Sequence, residues 1–227
     1  MRSKLLFISE LLAIAAIFYL DYRDLLPVSK VPYLFLLGWV SIRLRALRWR
    51  DVGLCRSASP LAKIVFLGLI AGIGMEALEL LVTQPLLTKL FNQGPDLHEL
   101  GRLIGNWKLL ILGIALSWVL AAFGEESVYR GYLTNRVAEI FGASKNAWVV
   151  AALLVTLLFG FSHFHQGPTG VVENIIDGAI LALLYFATGR NLWAPILAHG
   201  IQDTIDVLLI YLGIYPGLSS ATIAGIH

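Results

Sequence analysis

A chain of 227 residues with 58% hydrophobic and only 14% charged residues, and a mean hydropathy of +0.77, carries more apolar side chain than a water-soluble domain hides. The net charge of +2 is too small to point to a nucleic-acid partner, and none is expected. A single cysteine, Cys55, excludes an internal disulfide, and no Cys/His spacing of the zinc-finger kind is present.

Apolar stretches near the spanning length of about 20 residues occur at roughly 5–21, 31–47, 61–84, 107–128, 146–164, 169–188 and 192–214. They predict an all-α fold, a polytopic transmembrane bundle of about seven spanning helices enclosing a polar cavity, with the lipid bilayer as its solvent. Residues 1–227 read as one membrane domain, because the stretches use nearly the whole chain. The first stretch reads as a spanning helix and not a signal peptide, since Glu10 interrupts it and no small-x-small site precedes Asp21 to Asp24.

The loop after the second stretch holds Arg43, Arg45, Arg48, Arg50, Arg56 and Lys63 against Asp51, which marks it as cytoplasmic. Alternation then places Arg2 and Lys4, the segment from Arg130 through Arg136 to Lys145, and Arg190 on the same side. The expected topology is N-terminus cytoplasmic and C-terminus outside, in what reads as a bacterial inner membrane. The second stretch is the weakest span and is short before its arginines, with Trp49 suited to the interface. Leu86 to Asn106, with Pro85, Gly94, Pro95, Gly101 and Gly105, is the longest non-spanning segment and a candidate lid.

Charged groups inside spanning helices are costly, about 2.5–3.5 kcal/mol each at the centre, and persist where they face the bundle interior. The third stretch carries Glu76 and Glu79. The fourth ends in Glu125, Glu126 and Arg130, the fifth in His163 and His165. The sixth holds Glu173, Asn174 and Asp177, and the seventh His199, Gln202, Asp203 and Asp206. Glu126 and Arg130 are spaced i, i+4 for an ion pair, and Phe159 lies one turn before His163. His199, Asp203 and Asp206 form one stripe. The acids of the third and sixth stretches are expected to be structural partners of neighbouring helices or substrate-facing groups.

Depth follows from the turn at Gly142–Asn146. Glu125 and His163 each lie 19 residues from position 144, roughly 28 Å at 1.5 Å per residue, so an antiparallel hairpin brings them level. His199 lies nine residues, roughly 14 Å, beyond the turn near Arg190. The levels agree only if the first hairpin protrudes further than the second.

At these residues the chain resembles the CAAX protease and bacteriocin-processing (CPBP, or Abi) family of intramembrane endopeptidases, which includes the type II CAAX prenyl endopeptidases. Three motifs occur in order. Glu125-Glu126-Ser127-Val128-Tyr129-Arg130 resembles Glu-Glu-x-x-x-Arg, Phe159 to His163 resembles Phe-x-x-x-His, and His199 to Asp203 resembles His-x-x-x-Asn/Asp. Asn191-Leu192-Trp193 and Asp51-Val52-Gly53-Leu54 also resemble family segments. The motif-bearing core spans about residues 107–215.

The resemblance implies glutamate-dependent hydrolysis of a peptide bond. A carboxylate in a low-dielectric cavity makes a good general base, and Glu125 is assigned that role. His163 would share the water and pass a proton to the leaving amine. His199 would face the oxyanion, where preorganised donors act most strongly. Glu126 and Arg130 would fix the helix and the local charge balance. Asp203 stands where many relatives carry Asn. It is either a protonated donor or, the preferred reading, an acceptor that holds His199 in its donating tautomer.

No cofactor is required by this reading. A second reading uses zinc held by Glu125, His163, His199 and Asp203, without a His-Glu-x-x-His motif in support. A third is a non-catalytic immunity or accessory protein that keeps the polar core. The substrate is expected to be a peptide or protein reached from the membrane or the cytoplasm, and the resemblance does not imply that it is prenylated.

Overall fold

Every expected apolar stretch forms a helix, and the bounds differ where turn chemistry overrides hydropathy. The computed structural model describes residues 2–54, 60–216 and 218, with no strand among them. Cys55 and Arg56 of the basic loop, and residues 219–227 of the tail, lie outside the described residues. The helices are α1 (Arg2–Tyr22), α2 (Val31–Leu44), α3 (Leu61–Phe91), α4 (Trp107–Ile140), α5 (Lys145–Phe161), α6 (Gly167–Ala187) and α7 (Trp193–Tyr211).

Among the described residues, three helices are long and apolar enough to cross a membrane: α3, α4, and α6 taken with the short turn before it, Phe164–Ala187. The expectation of about seven spans therefore meets that standard at three places. α2 has only 14 residues, about 21 Å of rise against a hydrocarbon core of about 30 Å. It ends at Leu44 instead of continuing to 47, and Trp49 stacks on Phe35 with ring centroids 4.8 Å apart. The outer faces of the helices expose Phe66, Ile70, Ile111, Val119, Leu153 and Leu157, while the carboxylates lie inside. Apolar outside and polar inside is the arrangement of an integral membrane protein.

α3 and α4 run well past the expected ends at 84 and 128. In α3 the wider π turn Glu79–Thr83 sits just before Pro85, and the N–H of Gln84 reaches the carbonyl of Glu79, five residues back. That widening removes the clash a proline ring makes with the preceding turn, so the helix continues to Phe91. Asn92, at φ 54°, then ends it. Asn106 accepts from the N–H groups of Lys108 and Leu109 to start α4, and Ser144 accepts from that of Ala147 to start α5.

α7 is seated by close helix packing. Gly68 and Gly72, four apart on α3, lie against Ala194, Leu197 and Ala198 of α7, and a Cβ on Gly72 would stand 2.5 Å from the carbonyl oxygen of Ala198. Small residues at this spacing let two backbones approach directly. The start of α7 is tied by the N–H of Leu192 to the carbonyl of Gly53 (3.0 Å), and Asn191 caps the N–H of Trp193 (2.9 Å). The segments Asp51 to Leu54 and Asn191 to Trp193, far apart in sequence, are thus one joint. On the other side, Glu10 of α1 is buried and ion-paired with Arg45, just beyond α2, which accounts for a carboxylate in the first apolar run.

Candidate active site

The first acid-bearing motif lies on a helix that is not regularly wound. Ser117–Glu125 and Ser127–Leu133 are both π-helical, so the Glu125-Glu126 pair sits between two widened turns. Such turns are rare and recur at functional sites. Consecutive helical residues point about 100° apart. The structure uses that divergence: Glu126 enters the core and is fully buried, whereas Glu125 lines a cavity.

Glu126 joins three helices. Its Oε1 accepts from Arg130 Nη1 at 2.8 Å and stands 2.9 Å from His199 Nδ1. Arg130 Nη2 donates to the carbonyl of Gly178 on α6 (2.9 Å), and its guanidinium lies over the Phe159 ring at 4.5 Å. The expected i, i+4 pair is present, with His199 as a third partner that spacing along one helix does not reveal.

Phe159 is the shared wall of the two histidines. Its ring centroid is 4.9 Å from that of His163 and 6.2 Å from that of His199, and Tyr129 meets it edge-on at 5.0 Å. His163 Nδ1 is 2.8 Å from the Phe159 carbonyl. A carbonyl only accepts, so Nδ1 carries the proton and Nε2 keeps the lone pair. His163 is further placed by Lys30, which donates to the carbonyl of the preceding Ser162 (3.0 Å) and pairs with Asp21 (3.0 Å). Neither Lys30 nor Asp21 was among the expected site residues, because only the fold brings the α1–α2 loop to the end of α5.

Asp203 Oδ1 is 3.5 Å from His199 Nε2, an ionic contact looser than a hydrogen bond. The hydrogen-bonded carboxylate that holds the His199 ring is therefore Glu126, at Nδ1, while Asp203 lies beside the other nitrogen.

The depth condition is met. α4 runs fourteen residues past Glu126 to Ile140, but α7 begins only six before His199, so the α4–α5 hairpin protrudes beyond the α6–α7 turn. Winding also changes the expected rise, since seven of the residues after Glu126 are π-helical.

The cavity measures about 540 Å³, within the size range of small-molecule and peptide pockets. Glu125, Phe159, His163, His199 and Asp203 all line it. So do Glu79, Glu173, Asn174 and Asp177, for which a structural role was expected, and Asp206 of the helix-seven stripe. Gln202 donates to both Glu79 (2.9 Å) and Asp177 (3.0 Å), and Tyr215 donates to Glu79 (2.9 Å). Part of the expected lid closes one side: Pro95, Leu97, Leu100 and Leu103 line the cavity. The segment is pinned by the N–H of Asp96 to Gln166 and that of Gly105 to Tyr211. At the exposed turn beside it, a hydrogen bond from His98 holds the Asp96 carboxyl below its ordinary range.

Among the described residues no three histidine, cysteine or acidic side chains converge as a metal-ligand set. His199 presents both nitrogens to carboxylates.

Residues 106–205 match the model of the Rce1-like family, type II CAAX prenyl endopeptidase Rce1-like, in agreement with the family that the three motifs resemble. No curated protein and no solved structure matches the chain.

Proposed function

We propose that this membrane protein, Rce1-like over residues 106–205, is an intramembrane endopeptidase that hydrolyses a peptide bond with a water activated by Glu125 and His163. The observation that supports this best is one cavity that holds Glu125, His163 and His199 while Glu126 braces His199 from behind.

In this reading Glu125 takes a proton from the water, whose oxygen attacks the scissile carbonyl carbon. Nε2 of His163 accepts from the same water, because its Nδ1–H is already committed to Phe159. The carbonyl π electrons move to oxygen, and the oxyanion faces His199 Nε2. To donate there while Nδ1–H faces Glu126, the ring is the imidazolium, which Glu126 and Asp203 flank. Collapse of the tetrahedral intermediate breaks the C–N bond, and the proton held by Glu125 passes to the leaving amine. Arg130 holds Glu126 in place. The chemistry needs no metal, and the bacterial inner membrane with a cytoplasmic N-terminus is the proposed setting.

The test is cleavage of a panel of fluorogenic CAAX-type and leader peptides by protein purified in detergent. Glu125→Gln and His163→Ala are expected to lower kcat by about 10²–10⁴ while the protein stays folded. A folded Glu125→Gln protein that cleaves at the wild-type rate excludes the mechanism. Activity that survives a strong chelator is expected, and its loss with recovery on added zinc would replace the glutamate reading with the metal one.

A further inference from the structure

The mechanism above uses one end of the cavity and leaves its other end, between α3, α6 and α7, without a task. That end holds Glu79, Glu173, Asp177 and Asp206, and no lysine or arginine lines the cavity among the described residues. The donors that fix these acids are neutral. Gln202 and Tyr215 orient Glu79 and Asp177 without cancelling charge. Glu173 is 4% exposed, lines the cavity and has no hydrogen-bond partner on Oε1. Asp206 and Glu76, 3% exposed behind it, share a hydrogen bond carboxyl to carboxyl. Structural glue between membrane helices pairs its polar atoms. Glu173 is instead buried beside these acids with a free acceptor site, which is costly to keep.

We propose that this end of the cavity is a subsite for a basic side chain, lysine or arginine, of the peptide substrate. An ammonium brings three donors and a guanidinium five, with no acceptor, which matches carboxyl oxygens converging from three helices. No three of the acids converge tightly enough to serve as a metal-ligand set, whereas a basic side chain bonds carboxylates spread over a wider site. The apolar wall from Leu97, Leu100 and Leu103 suits the methylene stem of such a side chain. Position along the substrate follows from α7. Asp206 lies seven residues beyond His199, about 10 Å at 1.5 Å per residue. That span equals about three residues of extended peptide at roughly 3.3 Å each. The basic residue therefore sits within about three positions of the scissile bond.

The inference rests on the peptidase reading for its word substrate, and binding tests it apart from cleavage. The probes are short N-acetylated, labelled peptides that carry one lysine, or its uncharged isostere norleucine, at successive positions. Their equilibrium binding is measured by fluorescence anisotropy on the full chain in detergent. Wild type is expected to prefer lysine over norleucine at one position by at least about tenfold, and Glu173→Gln and Asp206→Asn each to collapse that ratio. Both variants are also expected to melt no lower than wild type, since each relieves crowding among buried carboxyl groups, whereas loss of structural glue lowers the melting temperature. A ratio near one at every position, as carboxyl groups that share protons would give, overturns the proposal. So does absence of peptide binding, or a preference that both variants retain. Lysine-selective binding without any cleavage leaves the subsite standing and sinks the peptidase reading alone.

Discussion

Glu126 Oε1 stands 2.9 Å from His199 Nδ1, and the same oxygen accepts from Arg130 at 2.8 Å. One buried carboxylate thus serves both an ion pair within α4 and the orientation of a ring on α7.

Arg130→Met removes the guanidinium from the buried pair and leaves Glu126 with His199 as its remaining partner. Breaking a buried pair from one side costs about 3–5 kcal/mol. The expected outcome is a large fall in melting temperature in detergent. Arg130→Met combined with Glu126→Gln recovers part of that stability, because the buried carboxylate that lost its guanidinium is gone, but does not recover peptide cleavage, because Nδ1 of His199 loses its anionic acceptor. Thermal unfolding and kcat measured on the same three proteins separate the two effects.

Asp203 makes only a 3.5 Å ionic contact with Nε2 of His199. Its side chain in the proposed reaction borders the oxyanion, where an amide N–H substitutes for the field of a charged ring. Asp203→Asn is therefore expected to keep cleavage within about tenfold of wild type, and Asp203→Leu to lose about 10²–10³ in kcat. Equal losses in the two variants would show that the negative charge itself is needed.

The motif residues were legible because carboxylates and histidines in apolar helices have few explanations, and spacing alone paired Glu126 with Arg130. What tertiary folding decides was not. The third partner of Glu126 comes from α7, 73 residues away, and Lys30 reaches Ser162 across 132 residues. Hydropathy carries no sign of the π turns around Glu125, since widening a turn changes hydrogen-bond register and not composition. The same blindness ended α4 too early at 128 and made its rise too regular. Glu79 and Asp177 do join helices through Gln202, whereas Glu173 keeps an unpartnered oxygen, a difference that residue type alone does not show.

Lys30 holds the backbone just before His163 while paired with Asp21. Lys30→Met frees the Ser162 carbonyl and leaves Asp21 without its cation, so the imidazole loses one of its restraints. Misplacement of a reacting group by about 1 Å can cost about 10²-fold. The expected result is a fall in kcat with KM little changed. Lys30→Arg, which restores a donor and a charge, is expected to recover part of it. A kcat unchanged in Lys30→Met would show that α5 holds His163 unaided.

Two glycines of α3 separate packing from chemistry. Gly72 has no room for a methyl group: its Cβ would meet the carbonyl oxygen of Ala198 at 2.5 Å and Ile201 at 2.9 Å. Gly74, two residues on, has nothing within 4 Å. Gly72→Ala must push α7 away from α3 at the residue next to His199. Overpacking of this kind costs about 1–3 kcal/mol, and the shift loosens the His199 to Glu126 contact, so stability and kcat are both expected to fall. Gly74→Ala gains helix propensity with no clash and is expected to be neutral or more stable by up to about 1 kcal/mol, with cleavage unchanged. If Gly72→Ala kept full activity, α7 would have to be set by its tie at Leu192 and Gly53 and not by its face against α3.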